Sequence, residues 1–496
     1  MTRHRVTRVA LSALATPVVR AVLVGALALT LVPAAPASAA QAGTAGSNDD
    51  ITDVGGITVG NYTNTTAMTG TTVVYATSRA TAGVDVRSGT PITRETDLLS
   101  PVNEVQHLNA VLLTGGGDYG LAAGPGVMQW LEDQGIGYPV GLPGTPGSPA
   151  QVVPIVPGAA INDLGNGGQF GVRPDNSYGY NAINTAAGGP IPQGNVGAGA
   201  GAIAGGLKGG LGSASQQVTD SITGQSVGMI GALVIVNSSG TPVDAGGGCR
   251  LLGAEFSFSS DLTNYKTPPA GCGSYVPPAR PSSGPLVNRG GVIGVVATDI
   301  NLDKALSQKM AQVAQDGITR AIDPAHTMFD GDVVFGLSTG QVNPTIGGVA
   351  NVLPDCIHQE QSLSDIGCLL VMNDILAAAH DVMSRAITHA MLNARSAAGF
   401  PPSYCAQFQG ACPAADSAPP PTTATHAAVP SKPSLPRLPK PPRIDKLKPS
   451  GLPQLPGLPR SGPSLASLSL VLLLGLSLAA RRGAPRPLRA GARRPA

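Results

Sequence analysis

The sequence predicts an α/β fold, because apolar segments typical of buried strands are followed by segments with helical periodicity. Several of the apolar segments are unbroken rather than alternating, and this pattern favours strands that are covered on both faces. Strands are expected at residues 71–76, 110–114, 152–156, 230–236, 292–297 and 333–337. Residues from about 48 to 400 are enough to form one layered α/β unit around these strands.

Three segments have the spacing of helices with one apolar face, because apolar or small residues recur every three or four positions. The first is marked by Leu306, Met310, Val313, Gly317 and Ala321. The second covers about residues 369–398 and is expected to bury Leu369, Ile375, Val382, Ala386 and Met391. The third follows Gly120, with Val127, Trp130 and Leu131 directed inward.

Residues 1–39 have the pattern of a secretory signal peptide. Arginines precede an apolar run over residues 21–32, and Ala37-Ser38-Ala39 offers a small-residue cleavage site. The apolar run is shorter than the ~20 residues of a membrane span, which disfavours the alternative of a transmembrane anchor. The mature chain is therefore expected to begin near Ala40 or Gln41, with residues 40–400 as the folded domain.

Three further segments are predicted after the domain. Residues 401–416 form an extension with two cysteines, and residues 417–462 are rich in Pro, Ser, Thr and Lys, as is typical of an extended spacer. Residues 463–496 combine an apolar stretch with an arginine-rich end, which favours a membrane anchor with its charged end in the cytoplasm. Leu458-Pro459-Arg460-Ser461-Gly462 resembles a cell-wall sorting motif, from which it departs at Ser461. The sequence thus predicts a secreted protein that is held at the cell surface through the membrane or the cell wall.

The charge of the exported part argues against nucleic acid as a partner. Residues 40–416 contain 14 Lys and Arg against 28 Asp and Glu, a formal net charge of −14, although the whole chain carries +2. An acidic domain repels the phosphate backbone, so no nucleic-acid function is expected.

All six cysteines lie in the exported part, where disulfides are favoured. The simplest pairing joins sequence neighbours, Cys249 with Cys272, Cys356 with Cys368, and Cys405 with Cys412, although the count allows other connectivities. The cysteines have neither CxxC spacing nor clustered histidines, so no zinc site is expected, and neither a metal nor a cofactor is predicted.

A series of motifs, in one order over residues 50–396, carries a family resemblance. They are ITDVGGITVG at 51–60, GVDVR at 83–87, TRETDLL at 93–99, TGGG at 114–117, YGLA at 119–122, NVGAG at 195–199, KGGLG at 208–212 and AHTMFDGD at 325–332. Together they resemble the L-aminopeptidase/D-esterase family, which includes the β-peptidyl aminopeptidases. The resemblance implies a layered α-β-β-α sandwich, in which two sheets pack between helical layers and the strand of the nucleophile lies inside. It also implies a homo-oligomer whose ligand is a peptide or a small amide or ester.

Gly291 decides what chemistry is available to such a scaffold. In the family, a strand like that at residues 292–297 is preceded by Asn or Gly and then by Ser or Thr. The precursor cuts itself there, and the freed hydroxyl residue becomes the N-terminal nucleophile. Here the matching pair is Gly290-Gly291, and glycine has no hydroxyl with which to attack a carbonyl. Thr298, Ser282 and Ser283 are the nearest hydroxyls in the sequence, and none has the position of the family's nucleophile.

Asn237 ends the predicted strand 230–236 and matches the family's side-chain amide that stabilises an oxyanion. The alternative is that it caps a turn formed by residues 238–240. Asp330-Gly331-Asp332 matches the position where related enzymes orient the nucleophile and its amine. A solvated turn and a weak cation site are the alternatives for these carboxylates.

The glycine-rich stretch at residues 197–212 contains a GxGxxG-like spacing. It lacks the leading strand and the downstream acidic residue of a dinucleotide site, so close backbone packing is the favoured interpretation. Lys208, within this stretch, is expected to be a loop lysine, with a cation in the ligand pocket as the alternative.

Two hypotheses about function account for the ordered motifs, whereas a third, a wall-associated adhesin-like protein unrelated to peptidases, would explain only the spacer and the tail. One is a surface-held hydrolase that removes N-terminal residues from peptides or cleaves small amides or esters. The other is a pseudoenzyme, an uncut chain of the same fold that serves as a binding or structural module. In the second case the loop over residues 238–290 is a disulfide-closed connection rather than a site of self-cleavage.

Overall fold

The structure is a computed structural model that describes residues 43–140, 151–277, 290–346, 349–350, 353–357 and 363–413. The predicted signal peptide, spacer and C-terminal tail lie outside the described residues. The helices are α1 (Gly117–Gly120), α2 (Gly124–Asp133), α3 (Asn176–Asn184), α4 (Lys304–Ala321), α5 (Leu353–Ile357), α6 (Leu363–Asn393) and α7 (Tyr404–Gln407). Short 3-10 helices lie at Ile51–Asp53, Asp97–Leu99, Leu121–Ala123, Gly197–Gly199 and Leu252–Phe256. The strands are β1 (Ile57–Asn64), β2 (Thr69–Val86), β3 (Thr93–Arg94), β4 (His107–Thr114), β5 (Tyr138–Pro139), β6 (Val152–Val153), β7 (Gly158–Ala160), β8 (Ile203–Ala204), β9 (Leu207–Lys208), β10 (Gly210–Thr219), β11 (Ser226–Asn237), β12 (Val243–Asp244), β13 (Arg250–Leu251), β14 (Gly291–Ile300), β15 (Val333–Val342), β16 (Thr345–Ile346) and β17 (Val349–Ala350).

The long strand β2 connects two halves of the main sheet. The strand order is β10-β11-β14-β15-β2-β4-β7-β3, and β1 pairs with β2 outside this path. Residues Thr71–Tyr75 and then Ala80 and Thr81 of β2 pair with β4, whereas Thr81–Val86 pair with β15. The two sheets that the family resemblance implies are therefore two halves of one continuous sheet, and β2 passes from one half to the other.

Three apolar cores fill the spaces between the layers of the molecule, one between the two sheet halves and one on the outer face of each half. Leu233 and Phe335 from the β11/β15 half and Val74 and Leu113 from the β2/β4 half belong to one buried core between the halves. On the outer face of the β11/β15 half, neighbouring residues such as Val234 pack against α4 and α6. On the outer face of the β2/β4 half, Val73, Leu112, Val127 and Ala182 form the third core with α2 and α3. Successive strand residues point to opposite faces, so the unbroken apolar runs are explained by burial on both sides.

Two details of the sequence prediction are wrong. Only Val152–Val153 of the expected strand 152–156 is a strand, because Pro154 and Pro157 cannot donate to a ladder, and the chain joins the main sheet later at β7. The long helix begins at Leu363 and ends at Asn393, and Leu369 is 52% exposed. Leu369 lies six positions before the buried Ile375, so it is on a different face of a helix with 3.6 residues per turn.

Helix α6 has the apolar character of a membrane span but packs inside the domain. Within the described residues, Ile366–Asn393 is the one segment long and apolar enough to cross a membrane, with a mean hydropathy of 1.5. Ile375, Val382 and Ala386 of this helix are fully buried in the core formed with α4 and the β10/β11 strands. A core helix between a sheet and another helix has the same composition as a short span.

The six cysteines form the three disulfides that the sequence predicted, Cys249–Cys272, Cys356–Cys368 and Cys405–Cys412. The first lies before Gly290 in the chain, and the other two lie after it. A cut between Gly290 and Gly291 would therefore leave two fragments that no disulfide joins.

The extension after α6 packs against the loop that follows β11. The hydroxyl of Tyr404, a fully buried residue, donates to the carbonyl of Cys249 at 2.9 Å. The backbone N–H of Lys266 donates to the carbonyl of Ala411 at 2.8 Å. The disulfide-closed loop is thus held to the body of the domain by the extension.

Candidate active site

The four residues predicted for the site meet at one end of three adjacent central strands. Asn237, the last residue of β11, lies opposite Gly291, the first residue of β14. Strand β15 runs parallel to β14 and begins at Val333, directly after Asp332. Because β11 and β14 are antiparallel and β14 and β15 are parallel, the end of β11, the start of β14 and the start of β15 lie at the same end of the strands.

Asp332 is the most heavily bonded carboxylate of the site. It is 1% exposed, and its Oδ1 accepts the backbone N–H of Val292 at 2.7 Å. Its Oδ2 accepts the hydroxyl of Ser88 at 2.7 Å and the backbone N–H of His326 at 3.1 Å, and Nδ1 of His326 lies 2.8 Å away. Because both oxygens are held, this carboxylate is fixed one residue from the position at which the family has its nucleophile.

Asp330 holds the loop that faces Gly290. It is 1% exposed, and its Oδ1 accepts the backbone N–H of Ser239 at 2.9 Å. Its Oδ2 accepts the hydroxyl of Thr327 at 2.6 Å. Both carboxylates of the Asp330-Gly331-Asp332 motif are buried and hydrogen-bonded, so the alternative of a solvated turn is wrong.

Asn237 is oriented by its amide oxygen. The residue is 3% exposed, and its Oδ1 accepts the backbone N–H of Ile203 at 3.0 Å. This bond assigns the amide so that the Nδ2 end is the one that donates. The Nδ2 end is therefore left as a donor on a residue that pairs with Gly291, and stabilisation of an oxyanion requires such a donor.

Ser239 supplies a hydroxyl that the sequence did not single out as a nucleophile. Its Oγ accepts the backbone N–H of Gly290 at 3.1 Å. A β-carbon added to Gly290 would lie 2.2 Å from the Ser239 nitrogen and 2.5 Å from Oδ1 of Asp330, so only glycine fits at position 290. The signal in the sequence was the Asn-Ser-Ser-Gly turn after β11, but only the tertiary contact places one of these hydroxyls beside Gly290.

Of the other hydroxyl residues that the sequence offers as alternatives, only Thr298 is among the described residues, and it is not beside Gly291. Thr298 is buried and donates to the carbonyl of Met229. It lies seven residues along β14 from Gly291, which corresponds to about 23 Å in an extended strand. Ser282 and Ser283 lie outside the described residues.

Lys208 is not a loop lysine, which corrects the default expectation. It lies in β9 and is fully buried, and its Nζ donates to the carbonyls of Gly199, Ala202 and Gly209 at 3.3, 3.0 and 2.7 Å. Burial lowers the pKa of Lys208 to about 7, although the nearby Asp163 acts in the opposite direction. Burial raises the pKa of Asp163 to about 6. Three carbonyl acceptors match the three N–H groups of a protonated lysine, so Lys208 cross-links the backbone on both sides of the β8/β9 hairpin, whose Ile203 donates to Asn237.

The burial of Lys208 predicts a rise in stability at alkaline pH. A lysine whose folded pKa is below its ordinary value binds fewer protons in the folded chain than in the unfolded chain between those two values. The free energy of unfolding is therefore expected to rise from pH 7 towards pH 10, with a contribution from this residue of at most about 1.4 kcal/mol per pH unit. Denaturant unfolding measured across this range should show the free energy of unfolding of the parent chain rising with pH. In Lys208→Met this rise should be absent.

Lys266→Met is the matched control, because Lys266 is an exposed lysine and should leave the slope unchanged. An equal slope in the parent and in Lys208→Met would contradict the assignment of this dependence to Lys208.

Comparisons with known proteins find relatives over most of the chain. The model of a family described as peptidase family S58 matches residues 49–403. The chain is 41% identical over 378 residues to an uncharacterized aminopeptidase of Mycobacterium leprae (strain TN), covering 73% of this chain and 95% of the relative. It is 27% identical over 309 residues to a 6-aminohexanoate-oligomer endohydrolase of Kocuria sp. (strain KY2), covering 60% of this chain and 77% of the relative. A solved structure of a Burkholderia sp. beta-aminopeptidase has a TM-score of 0.51 at 20% identity and covers 74% of this chain and 93% of its own. The predicted layered α-β-β-α architecture is confirmed by this likeness in fold.

Proposed function

The chain belongs to peptidase family S58, as its motifs predicted, and from this premise we propose that it is an uncut, non-catalytic member that binds peptides or small amides or esters at the cell surface. The observation that carries the proposal is Gly291. It pairs with Asn237, Asp332 accepts from the next residue, Val292, and the family resemblance implies a nucleophile at position 291, where glycine offers no hydroxyl. The polar groups around it are buried and hydrogen-bonded, so the ligand-facing scaffold persists without the group that forms a covalent intermediate.

The proposal has two direct tests on the purified chain. Intact mass under denaturing conditions is expected to show one unbroken polypeptide, because self-cleavage at Gly290-Gly291 needs a nucleophilic side chain at position 291. Fragments split near residue 290 would overturn the proposal, and reduction is not needed to see them, since no disulfide joins the two sides. The rate of hydrolysis of p-nitroanilide and β-peptide substrates is expected to equal the rate in buffer without the protein.

The second candidate function is hydrolysis, and Ser239 is the observation that favours it. Its Oγ lies 3.1 Å from the nitrogen of Gly290 and so beside the bond that the family cleaves. Turnover that is lost in both Ser239→Ala and Asn237→Ala would establish this candidate and exclude the non-catalytic one. Turnover that survives in both variants would point to a contaminating peptidase.

We also propose that the protein is secreted and tethered. Support comes from the signal-peptide pattern of residues 1–39 and from the spacer and apolar tail over residues 417–496. The mature N-terminus is expected near Ala40 or Gln41 by mass, and deletion of residues 463–496 should move the protein from the cell envelope to the medium. A homo-oligomer is the expected state of the soluble domain, and light scattering coupled to size exclusion measures it.

A further inference from the structure

We propose that Asp49, Asp261 and His389 form a binding site for a divalent transition-metal cation of the Zn²⁺ or Co²⁺ type, away from the candidate active site. One oxygen of each carboxylate and one imidazole nitrogen lie within 4.8 Å of one another. The three residues come from separate parts of the chain: the segment before β1, the disulfide-closed loop after β11, and α6. A cation held here would tie that loop and the N-terminal segment to the helix.

The distances fit a shared ion better than direct hydrogen bonds. Nε2 of His389 is 3.7 Å from Oδ2 of Asp261 and 3.9 Å from Oδ2 of Asp49. Both separations are too long for hydrogen bonds. Two ligand atoms that bind one Zn²⁺ tetrahedrally, each at ~2.1 Å, are about 3.4 Å apart. The two separations from Nε2 therefore need to shorten by a few tenths of an ångström for its lone pair and both oxygens to bind one ion.

The imidazole is oriented for this role by its other nitrogen. Nδ1 of His389 lies 2.6 Å from the carbonyl oxygen of Ser213, which can only accept, so Nδ1 carries the proton. Nε2 is therefore the nitrogen that faces the two carboxylates, and a cation that binds here must displace the proton that these carboxylates favour on it. His389 is 9% exposed, and Nε2 makes no hydrogen bond with the described residues. A backbone carbonyl that fixes the far nitrogen is the usual support of a metal-binding histidine.

Arg385 holds both carboxylates and donates to the same two Oδ2 atoms that face Nε2 of His389. Its Nη2 donates to both oxygens of Asp49 at 2.7 and 2.8 Å, and its Nε donates to Oδ2 of Asp261 at 2.8 Å. The guanidinium is fully buried and stacks on Phe258 with 4.1 Å from Cζ to the ring centre. Each carboxylate oxygen has a further lone pair, so these bonds orient the acids without using their capacity to bind a cation.

The charge of the cluster favours a cation. The carboxylates of Asp49, Asp261 and the adjacent Asp50 oppose the guanidinium of Arg385, and Arg395 also lines the cavity. Even with both arginines counted, one net negative charge is left. A proton on Nε2 balances this excess and a divalent ion exceeds it by one charge, so the ion and the proton compete for the same nitrogen.

The cavity beside the cluster has room for the remaining ligands. It has a volume of about 350 Å³ and is lined by Asp49, Asp261 and His389 together with polar residues that include Gln193 and Asn264. Water in this cavity can complete a coordination sphere that three protein ligands leave open. One imidazole with two carboxylates selects a transition metal rather than Ca²⁺, which takes oxygen ligands.

The test uses the purified chain without an affinity tag, stripped with a chelator and dialysed at pH 8 against Zn²⁺ or Co²⁺. One ion per chain is expected, with a visible absorption spectrum of bound Co²⁺ and a higher thermal midpoint in the presence of either metal. His389→Gln and Asp49→Asn are expected to weaken binding by at least ~10-fold. His107→Gln, which removes an exposed histidine far from the cluster in the fold, is the matched control and should bind like the parent.

The stoichiometry of the parent chain decides the proposal even if a variant does not fold. Less than one ion per ten chains at a tenfold excess of Zn²⁺ and of Co²⁺ overturns it. Binding that is unchanged in both His389→Gln and Asp49→Asn overturns it as well, because the ion would then be held elsewhere. The outcome is independent of whether the chain hydrolyses peptides.

Discussion

Gly291→Ser is expected to convert the uncut chain into one that cleaves itself between residues 290 and 291 and then hydrolyses amides. The substitution places a hydroxyl one residue before Val292, whose N–H is held by Asp332 at 2.7 Å, and opposite Asn237. Loss of the serine nucleophile in a serine peptidase costs about 10⁶ in kcat, so its return should raise turnover by at least ~10³ over the parent. Mass spectrometry measures the cleavage, and p-nitroanilide hydrolysis measures the turnover.

The side chain has nearly enough room at this position. A β-carbon on Gly291 would approach the nitrogen, oxygen and carbonyl carbon of Gly331 at 3.0, 3.1 and 3.2 Å. These contacts are tight, and Gly291 has a φ of +156°, which residues with a β-carbon rarely adopt, so the loop at Gly331 and the backbone of residue 291 must both adjust. Gly290, in contrast, must stay glycine, because a β-carbon there would lie 2.2 Å from the backbone nitrogen of Ser239.

Gly291→Ala is the control for the added bulk, because it brings the same β-carbon without the hydroxyl and should remain uncut and inactive. Adding Asp332→Asn to Gly291→Ser should slow both reactions, since the carboxylate that positions the strand loses its charge. A Gly291→Ser chain that folds but stays intact, with turnover equal to the parent, would show that the chain lacks more than the hydroxyl.

Arg385→Met is expected to cause the largest loss of stability of any single substitution considered. The change removes a buried cation and leaves the carboxylates of Asp49 and Asp261 without their partner. Breaking a buried ion pair by removal of one partner costs about 3–5 kcal/mol, because an uncompensated buried charge remains. Denaturant unfolding at pH 7 in a buffer with chelator measures this loss without a contribution from bound metal.

The size of the effect should depend on pH. Burial alone would raise the pKa of Asp261, but His389 and Arg385 hold it well below its ordinary value. A carboxylate of this kind contributes stability above its unfolded pKa, and the contribution is lost as the pH falls through the folded pKa. The difference between the parent and Arg385→Met should therefore shrink as the pH falls below about 4, where the unpartnered acid is protonated.

Arg320→Met is the matched control for the removal of an arginine. Arg320 also pairs with a carboxylate, that of Asp381 at 2.8 Å, and stacks on Phe256, but its side chain is 35% exposed. A partly exposed pair contributes about 1 kcal/mol or less. Arg385→Lys, which keeps the charge but loses the fork of donors, should fall between the two. Equal losses in Arg385→Met and Arg320→Met would contradict the role assigned to burial.

Much of the fold could be predicted from residues near one another in the chain. The unbroken apolar runs at β4, β11 and β14 require cover on both faces, and the three core layers supply it. Where a local rule was overlooked, the prediction failed, as at residues 152–156, where Pro154 and Pro157 interrupt the ladder. The spacing of the cysteines was informative because short loops make the local pairings probable.

The candidate site was predictable only in part. Asn237, Gly291, Asp330 and Asp332 stand in motifs with a characteristic order, so the sequence pointed to them before their geometry was known. The sequence missed the hydroxyl of Ser239 beside Gly290 and took Lys208 for a loop residue. The local sequence around a serine in a turn or a lysine in a glycine-rich stretch does not predict burial, because the residues that surround these side chains come from distant segments.

By itself, the sequence determined the strand and helix classes, the local disulfides, the family and the glycine at position 291, since each depends on periodicity or on neighbours in the chain. Only the tertiary structure decided how β2 passes between the two sheet halves and which charges are buried together. Asp49, Asp261 and Arg385 are far apart in the chain, and they meet because the packing of α6 on β10 and β11 leaves one buried place for a guanidinium and its acids. The free energy of such a cluster depends on exclusion of water from all its members at once, and no local pattern records that condition.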